Sequence, residues 1–277
     1  MKLMLISNNP LLVEDAERAG VDRIFIDLEK NGKQERQGHL DTHVSTHELQ
    51  DVCLIRKVVS KSELLVRVNP IHQGSEEEIN DVITSGADVV MLPMFKTPEE
   101  VAEFVTIVNN RAKVCLLLET AEALIRIKDI LSIEDIDEIH VGLNDLHLGL
   151  GLDFMFEILS SFVIDELAKT IQDKGIRFGF GGIAKIGEGD LPAELILNEH
   201  ARLNSEMVIL SRGFLKERDK GHSRYYDLSL EVEKIRNHYK SALKRSSSDI
   251  QNDKIELDKK IKVIAMRKRE SNYVFNS

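Results

Sequence analysis

The sequence has few cysteines and no long hydrophobic run. Its two cysteines, Cys53 and Cys115, form no CxxC pattern, and Cys115 lies in an apolar segment where a buried core residue is expected. Two thiols without a disulfide framework favour a reducing compartment. No stretch reaches the roughly 18 apolar residues of a membrane-spanning helix, and the N-terminal MKLMLIS is too short for a signal-peptide core. We therefore expect a cytoplasmic protein that makes no use of a membrane.

Positive charge is scarce outside the C-terminal tail. The formal net charge is −10, from 47 acidic and 37 basic side chains, yet residues 216–277 carry 16 basic against 10 acidic ones. An acidic body disfavours nucleic acid as a partner. The basic tail suits an anionic surface or, more simply, an acidic neighbour or subunit.

Eight short apolar segments alternate, for the most part, with helix-like segments. The expected strands are Lys2–Ile6, Arg23–Leu28, Leu64–Val68, Asp88–Leu92, Val114–Leu118, Glu138–Val141, Arg177–Phe180 and Met207–Ser211. This alternation predicts an α/β fold, a (β/α)₈ TIM barrel over residues 1–219. A helical, basic extension over residues 220–277 follows, for which we expect oligomer contacts and partial disorder at the end. The alternative is a doubly wound open sheet, but no GxGxxG motif follows the first strand.

Capping residues mark where several helices begin. Asn9 precedes Pro10 at a helix start, and Thr97 with Glu100 has the form of a capping box. Seven further helices are expected, over 48–60, 76–85, 121–130, 154–173, 195–203, 225–244 and 253–266.

Polar residues stand directly after several of these strands. The apolar run that begins at Ile139 ends at Gly142, and Asn144 and Asp145 follow in a loop that contains two glycines. The run CLLLET likewise ends in Glu119. The carboxyl ends of barrel strands carry the chemistry, and Mg²⁺ is usually held by one or two carboxylates. Glu119 and Asp145 are therefore candidate ligands for Mg²⁺ or Mn²⁺.

Five motifs in order resemble one family of barrels. They are FIDLE (25–29), RVN (67–69), GADVVMLPMFKTPEE (86–100), LLLETAEAL (116–124) and VGLNDLHLGLG (141–151). Over residues 1–215 the chain resembles the HpcH/HpaI aldolase and citrate lyase β-subunit superfamily, the class II pyruvate aldolase-like, phosphoenolpyruvate-binding barrels. The resemblance implies a divalent-metal-dependent carbon–carbon lyase that acts through a pyruvate- or acetyl-like enolate. Its substrate would be a 2-keto acid, a citrate- or malyl-type compound or an acyl-CoA, and the protein would be a homo-oligomer.

The resemblance also implies roles for individual residues. Glu119 and Asp145 match the two metal ligands, and Arg67 matches the arginine that binds the keto and carboxylate oxygens of the substrate. The backbone amides of Leu143, Asn144 and Asp145 match the loop that receives the substrate carboxylate. Glu29 matches the acidic residue after the second strand. Asp27, at the end of that strand, is a further candidate catalytic residue by its position, and Arg67 is alternatively a salt-bridge partner for Asp27 or Glu29.

Two positions depart from the aldolase pattern. Lys30 stands where the aldolases have a histidine, and Leu117 stands where they have a glutamine. These departures motivate an alternative function, a catalytically altered barrel that serves as a binding or assembly protein. The missing base could come from His39 or His43.

Other histidines and glycines leave alternatives open. His39, His43 and His47 have i, i+4 spacing, for which a zinc site is the less favoured interpretation. His147 is either a second-sphere residue or an exposed loop residue. Three glycines after the seventh strand (Gly179, Gly181 and Gly182) and the pair Arg212–Gly213 lie where barrels often bind phosphate, or they merely form tight turns.

Overall fold

The computed structural model describes residues 1–32, 46–214 and 228–275, with side chains as far as residue 271. The strands are β1 (Lys2–Ile6), β2 (Arg23–Asp27), β3 (Glu63–Arg67), β4 (Val89–Leu92), β5 (Lys113–Leu118), β6 (Glu138–Val141), β7 (Arg177–Ile183) and β8 (Met207–Leu210). The helices are α1 (Pro10–Arg18), α2 (Leu49–Val58), α3 (Ser75–Thr84), α4 (Pro98–Val108), α5 (Ala121–Ile125), α6 (Ile127–Ile130), α7 (Leu143–Gly149), α8 (Phe162–Gln172), α9 (Ala193–Arg202), α10 (Leu228–Ala242) and α11 (Ser247–Phe275).

The strands form one closed parallel barrel in chain order, from β1 to β8. This finding confirms the predicted (β/α)₈ barrel and excludes the open doubly wound sheet. The chain divides into two compact units, residues 2–140 and residues 141–277 with Met1. The predicted domain boundary at 219 falls within residues 215–227, which lie outside the described residues.

Local signals in the sequence account for many of the helix ends. The Asn9 side chain accepts hydrogen bonds from two N–H groups of the first turn of α1, and Pro10 occupies the first helical position. Thr97 and Glu100 form the predicted capping box of α4. Gly20 follows α1 with a φ of +85°, a backbone conformation that glycine adopts without steric cost.

Several expectations about the helices and loops differ from the structure. The predicted helix over 121–130 is divided at Arg126 into α5 and α6. The predicted helix over 154–173 is a 3₁₀ turn, Glu157–Ser160, followed by α8, because Ser161 is extended and interrupts the helical backbone. The expected loop after Gly142 contains a short helix, α7. Gly151, two residues after this helix, has a φ of +68°.

The C-terminal helices pack within the second unit. Helix α11 runs for 29 residues, longer than the predicted 253–266, and it buries Leu257 and Ile261. The Lys254 Nζ atom donates a hydrogen bond to the Leu159 carbonyl oxygen (2.7 Å), and Arg269 pairs with Asp153 (2.7 Å). These contacts bind α11 to the segment that precedes α8. In the described part of the chain, no helix combines the length and the apolar character needed to span a membrane.

A buried ion pair lies at the amino ends of two strands of the first unit. Arg23 on β2 and Glu138 on β6 are both fully buried, and their side chains are joined by hydrogen bonds of 2.6 and 3.0 Å. Burial would lower the pKa of Arg23, but Glu138 outweighs this effect and the pKa is raised. Glu63 also bonds to Arg23 (2.6 Å) and pairs with Lys2 and Lys113. Charged residues at this face of a barrel serve stability rather than catalysis.

We expect Glu138→Leu to lower the free energy of unfolding by about 3–5 kcal/mol, since it leaves the Arg23 charge buried without its main partner. The double variant Arg23→Met with Glu138→Leu should recover most of that loss, because it removes both charges. Urea unfolding measures both variants, and Asp15→Asn, which breaks a more exposed pair with Arg18, should change stability by less than about 1 kcal/mol. A double variant as unstable as the single one would contradict this account.

Candidate active site

The carboxyl ends of β2 and β3 bring three predicted site residues together. Asp27 is the register partner of Arg67, and both are the last residues of their strands. The Arg67 Nε and Nη2 atoms donate to the two carboxylate oxygens of Asp27, each at 2.8 Å. The Arg67 Nη1 atom lies 3.3 Å from the Glu29 carboxylate. The guanidinium is therefore fixed in orientation by two carboxylates, both of them buried.

Arg67 is the one positive charge in this group of contacts. Burial would lower the pKa of Arg67, but Asp27, Glu29 and Glu119 together outweigh it and raise the pKa. The guanidinium also lies over the Phe25 ring, 5.6 Å from its centre. Arg67 therefore holds a permanent charge, and the fork of its guanidinium retains N–H groups beyond the two that bond to Asp27.

Glu119 follows β5 and is 4% exposed. Its Oε1 atom accepts a hydrogen bond from the backbone N–H of Met94 (3.2 Å), the second residue after β4. Met94 has a φ of +53°, which is unusual for a residue with a side chain. Glu119 is also one of the carboxylates that raise the pKa of Arg67.

The remaining predicted residues lie in the second unit. Leu143, Asn144 and Asp145 form the first turn of α7, where backbone N–H groups precede the first intrahelical hydrogen bonds. The Leu143 side chain is buried, and a Cβ atom at Gly181 would lie 2.8 Å from Leu143 Cδ1. His147 is also buried, with Nδ1 3.3 Å from the Leu143 carbonyl oxygen, so it is not the exposed loop residue of one interpretation.

The predicted glycines Gly179, Gly181 and Gly182 lie within β7, which extends to Ile183 and not only to Phe180, and Gly181 has a steric explanation. Gly181 has a φ of +50°, and the register of β7 with β8 shifts between Gly179 and Gly182. A side chain at position 181 would force the buried Leu143 side chain to shift, and the positive φ also favours glycine there. Arg212 is exposed at the end of β8, and the phosphate interpretation of this region stays a prediction.

His47 is a residue whose position the sequence did not indicate. It is 9% exposed, and its Nδ1 atom accepts a hydrogen bond from the backbone N–H of Asp27 (3.1 Å). From the sequence, His47 is notable only as the third histidine in a series with i, i+4 spacing. The other two members, His39 and His43, lie outside the described residues, so the predictions on them are not addressed.

A cavity of 420 Å³ adjoins the ends of β2 and β3 on the side of α2 and α3. Its walls include apolar, acidic and amide side chains, namely Leu28, Lys30, His47, Glu48, Leu49, Asn69, Gly74, Glu77, Glu78 and Asp81. Lys30, which replaces the aldolase histidine, is exposed beside it, whereas Leu117 is buried.

Among the described residues, no group of three or more His, Cys, Asp or Glu side chains is arranged to hold a metal ion. A zinc site built entirely from protein ligands would need such a group. A Mg²⁺ or Mn²⁺ ion needs only one or two carboxylates, because water and substrate oxygens complete its coordination. The donor chemistry of Glu119 and Asp145 fits the second case.

A closed (β/α)₈ barrel with charged side chains at the carboxyl ends of its strands has the architecture of a barrel enzyme. The sequence matches the HpcH/HpaI aldolase/citrate lyase family over residues 1–157. The chain belongs to this family, and it is an enzyme of the aldolase/citrate lyase type. No curated protein matches it in sequence.

Solved structures share the fold at low sequence identity. An HpcH/HpaI aldolase from Desulfitobacterium hafniense DCB-2 is 16% identical with a TM-score of 0.60, over 79% of this chain and 90% of that one. A family protein from Burkholderia cenocepacia J2315 is 16% identical with a TM-score of 0.62, over 79% and 91%. A variant of the citrate synthase SbnG is 18% identical with a TM-score of 0.57, over 85% and 95%. At these identities the likeness is one of fold.

Proposed function

We propose that this protein is a divalent-metal-dependent carbon–carbon lyase that acts through a pyruvate- or acetyl-like enolate. The observation that carries the proposal is the guanidinium of Arg67, which is held in a fixed orientation by Asp27 and Glu29. Such a preorganised positive charge stabilises negative charge that develops on an oxygen during reaction. Formation or cleavage of a bond to the carbon beside a carbonyl group creates such an oxygen.

Glu119 and Asp145 are the proposed metal ligands. Both are oxygen ligands of the kind that Mg²⁺ and Mn²⁺ prefer, and both follow barrel strands in motifs of the family. When bound, the ion would act as a Lewis acid on the keto oxygen of the substrate. Glu119 keeps its carboxylate oriented through the N–H of Met94, which limits the reorganisation needed to hold an ion.

Side chains and backbone amides of the protein are proposed to bind and orient the substrate. Arg67 is proposed to bind the keto and carboxylate oxygens of the substrate, and Asp27 and Glu29 hold its guanidinium in place. The backbone amides of Leu143, Asn144 and Asp145 are proposed to receive the substrate carboxylate. The family membership supports a small-molecule partner, either a 2-keto acid, a citrate- or malyl-type compound or an acyl-CoA. We further propose a cytoplasmic homo-oligomer.

The test is proton exchange at the methyl group of the nucleophilic substrate. In D₂O with Mg²⁺ or Mn²⁺, the enzyme should catalyse loss of the methyl ¹H NMR signal of pyruvate or of acetyl-CoA. This loss is expected because methyl proton exchange passes through the same enolate as the proposed lyase reaction. EDTA should abolish the exchange. Failure of both compounds to exchange faster than with metal ion alone would overturn the proposal.

A second function, binding or assembly without catalysis, is favoured by the sequence at two positions. Lys30 is exposed where the aldolases have a histidine, and Leu117 is buried where they have a glutamine. This alternative predicts that the metal and a keto acid bind without proton exchange. Metal-dependent exchange by the wild-type protein would exclude it.

A further inference from the structure

Asn69, two residues beyond Arg67, uses its whole side-chain amide. Its Oδ1 atom accepts hydrogen bonds from the backbone N–H groups of Lys30 (2.8 Å) and Asn31 (3.0 Å). Its Nδ2 atom donates to Glu78 Oε1 on α3 (2.7 Å), and its own backbone N–H donates to the same oxygen (3.1 Å). In the reverse orientation, the amide NH₂ group would face the two backbone N–H groups and the amide oxygen would face the Glu78 carboxylate. The hydrogen bonds therefore determine the orientation of the amide.

The Asn69 amide continues the pairing of β2 with β3 beyond the last backbone bond. The Leu28 N–H donates to the Arg67 carbonyl oxygen (2.9 Å), whereas the Val68 N–H donates to Met91 (3.1 Å) on the other side of β3. The next N–H group along the chain, that of Glu29, donates to Asp27 Oδ1 (3.2 Å). The two that follow, those of Lys30 and Asn31, donate to the Asn69 side-chain oxygen instead of a backbone carbonyl. The peptide that follows Glu29 is therefore fixed by one side chain, which Glu78 holds in turn.

This arrangement bears on the proposed site through Glu29. Its carboxylate is 2% exposed and lies 3.3 Å from Arg67 Nη1. The bonds to Asn69 begin at the peptide bond directly after Glu29, whereas the Glu29 N–H itself bonds to Asp27. Loss of the bonds to Asn69 would therefore loosen the backbone on the C-terminal side of this carboxylate. A displacement of about 1 Å in a catalytic constellation costs about 100-fold in rate.

We propose that Asn69 is a positioning residue of the active site, acting through the backbone after Glu29 to fix the Glu29 carboxylate against the Arg67 guanidinium. The inference rests on the proposed function, because it concerns the site proposed to stabilise the enolate. Glu78 holds the Asn69 amide in place through its Oε1 atom. The His72 Nε2 atom lies 3.1 Å from the other oxygen of that carboxylate, Oε2.

We expect Asn69→Ala to lower kcat of the proton-exchange reaction about 30-fold while KM changes by less than about threefold. Amide hydrogen exchange at Lys30 and Asn31 should accelerate about 10-fold in the same variant. Asn80→Ala is the matched control, because it removes an amide that bonds to Arg111 from the same helix, α3, away from Glu29. It should leave both quantities within about twofold of wild type.

A paired substitution separates positioning from folding. Asn69→Asp keeps the acceptor for the two N–H groups but sets a second carboxylate against Glu78, and kcat should fall. Adding Glu78→Gln removes the repulsion between the two carboxylates, and kcat should recover part of the loss. The recovery stays partial because the amide group at the Oε1 position can donate to the carboxylate at position 69 or accept from the backbone N–H there, but not both. These isosteric variants open no cavity, so they are informative where Asn69→Ala fails to fold.

The outcomes distinguish this inference from the proposed function. An active wild type with an unchanged kcat in Asn69→Ala and in Asn69→Asp would overturn the inference alone. A fall in thermal stability without a fall in kcat would show a structural role and overturn it as well. A wild type without exchange overturns the proposed function and the catalytic role of Asn69 with it, whatever the amide exchange shows.

Discussion

Arg67→Lys should slow the metal-dependent proton exchange about 100- to 1,000-fold, because lysine carries the charge but not the fork of donors. The native guanidinium donates to both oxygens of Asp27 and lies 3.3 Å from Glu29. An ammonium group on a flexible chain cannot make the same paired bonds, so its charge would lie off the position where the enolate oxygen develops. The retained charge prevents Asp27 and Glu29 from being left without a cation, which keeps the fold intact.

The exchange rate in D₂O measures this effect, with far-UV circular dichroism as the check on folding. Arg18→Lys, which alters an exposed arginine paired with Asp15, should have the wild-type rate. An Arg67→Lys protein that keeps more than about a third of the rate would show that the paired geometry is not required.

Glu119→Gln should lower the affinity for Mn²⁺ about 100-fold or more and the exchange rate about 1,000-fold, because it removes an anionic ligand at a proposed Lewis-acid centre. The amide oxygen that replaces one carboxylate oxygen still accepts the N–H of Met94, so the local backbone should be preserved. The substitution therefore changes charge with little change in shape.

Electron paramagnetic resonance of free Mn²⁺ measures this affinity directly. The matched control is Glu122→Gln in the same motif, whose carboxylate is about half exposed and pairs with Lys96 (3.2 Å). It should bind Mn²⁺ as wild type does. Equal loss of Mn²⁺ binding in both variants would point to general surface charge, and loss in neither would remove Glu119 from the metal site.

The sequence was sufficient for the barrel because each strand is a short apolar run between turn residues. The ends of α1 and α4 were also predictable, since Asn9 and Thr97 satisfy N–H groups within their own first turns. Signals of this kind are local and depend on spacing alone. The division at Arg126 carries no such local signal. Ser161 is a preferred type of N-cap residue and does precede α8, but its side chain makes no capping bond there.

The contacts between charged side chains could not be predicted from the sequence. The residues Asp27, Glu29 and Arg67 were expected at the carboxyl ends of two strands, but the bidentate bond between Arg67 and Asp27 follows from the register of β2 with β3. Arg23 and Glu138 are 115 residues apart, and no spacing rule connects them. His47 reaches Asp27 through a backbone N–H, a contact that no motif encodes.

The central claim is that the metal and the keto acid bind together at the proposed site, and calorimetric titration tests it most directly. Mg²⁺ or Mn²⁺ is titrated into the wild-type protein with and without pyruvate, and into Glu119→Gln. The account predicts that the metal binds, that pyruvate tightens its binding about 10-fold or more, and that both effects disappear in the variant. Metal binding that pyruvate leaves unchanged, or no binding at all, would contradict it.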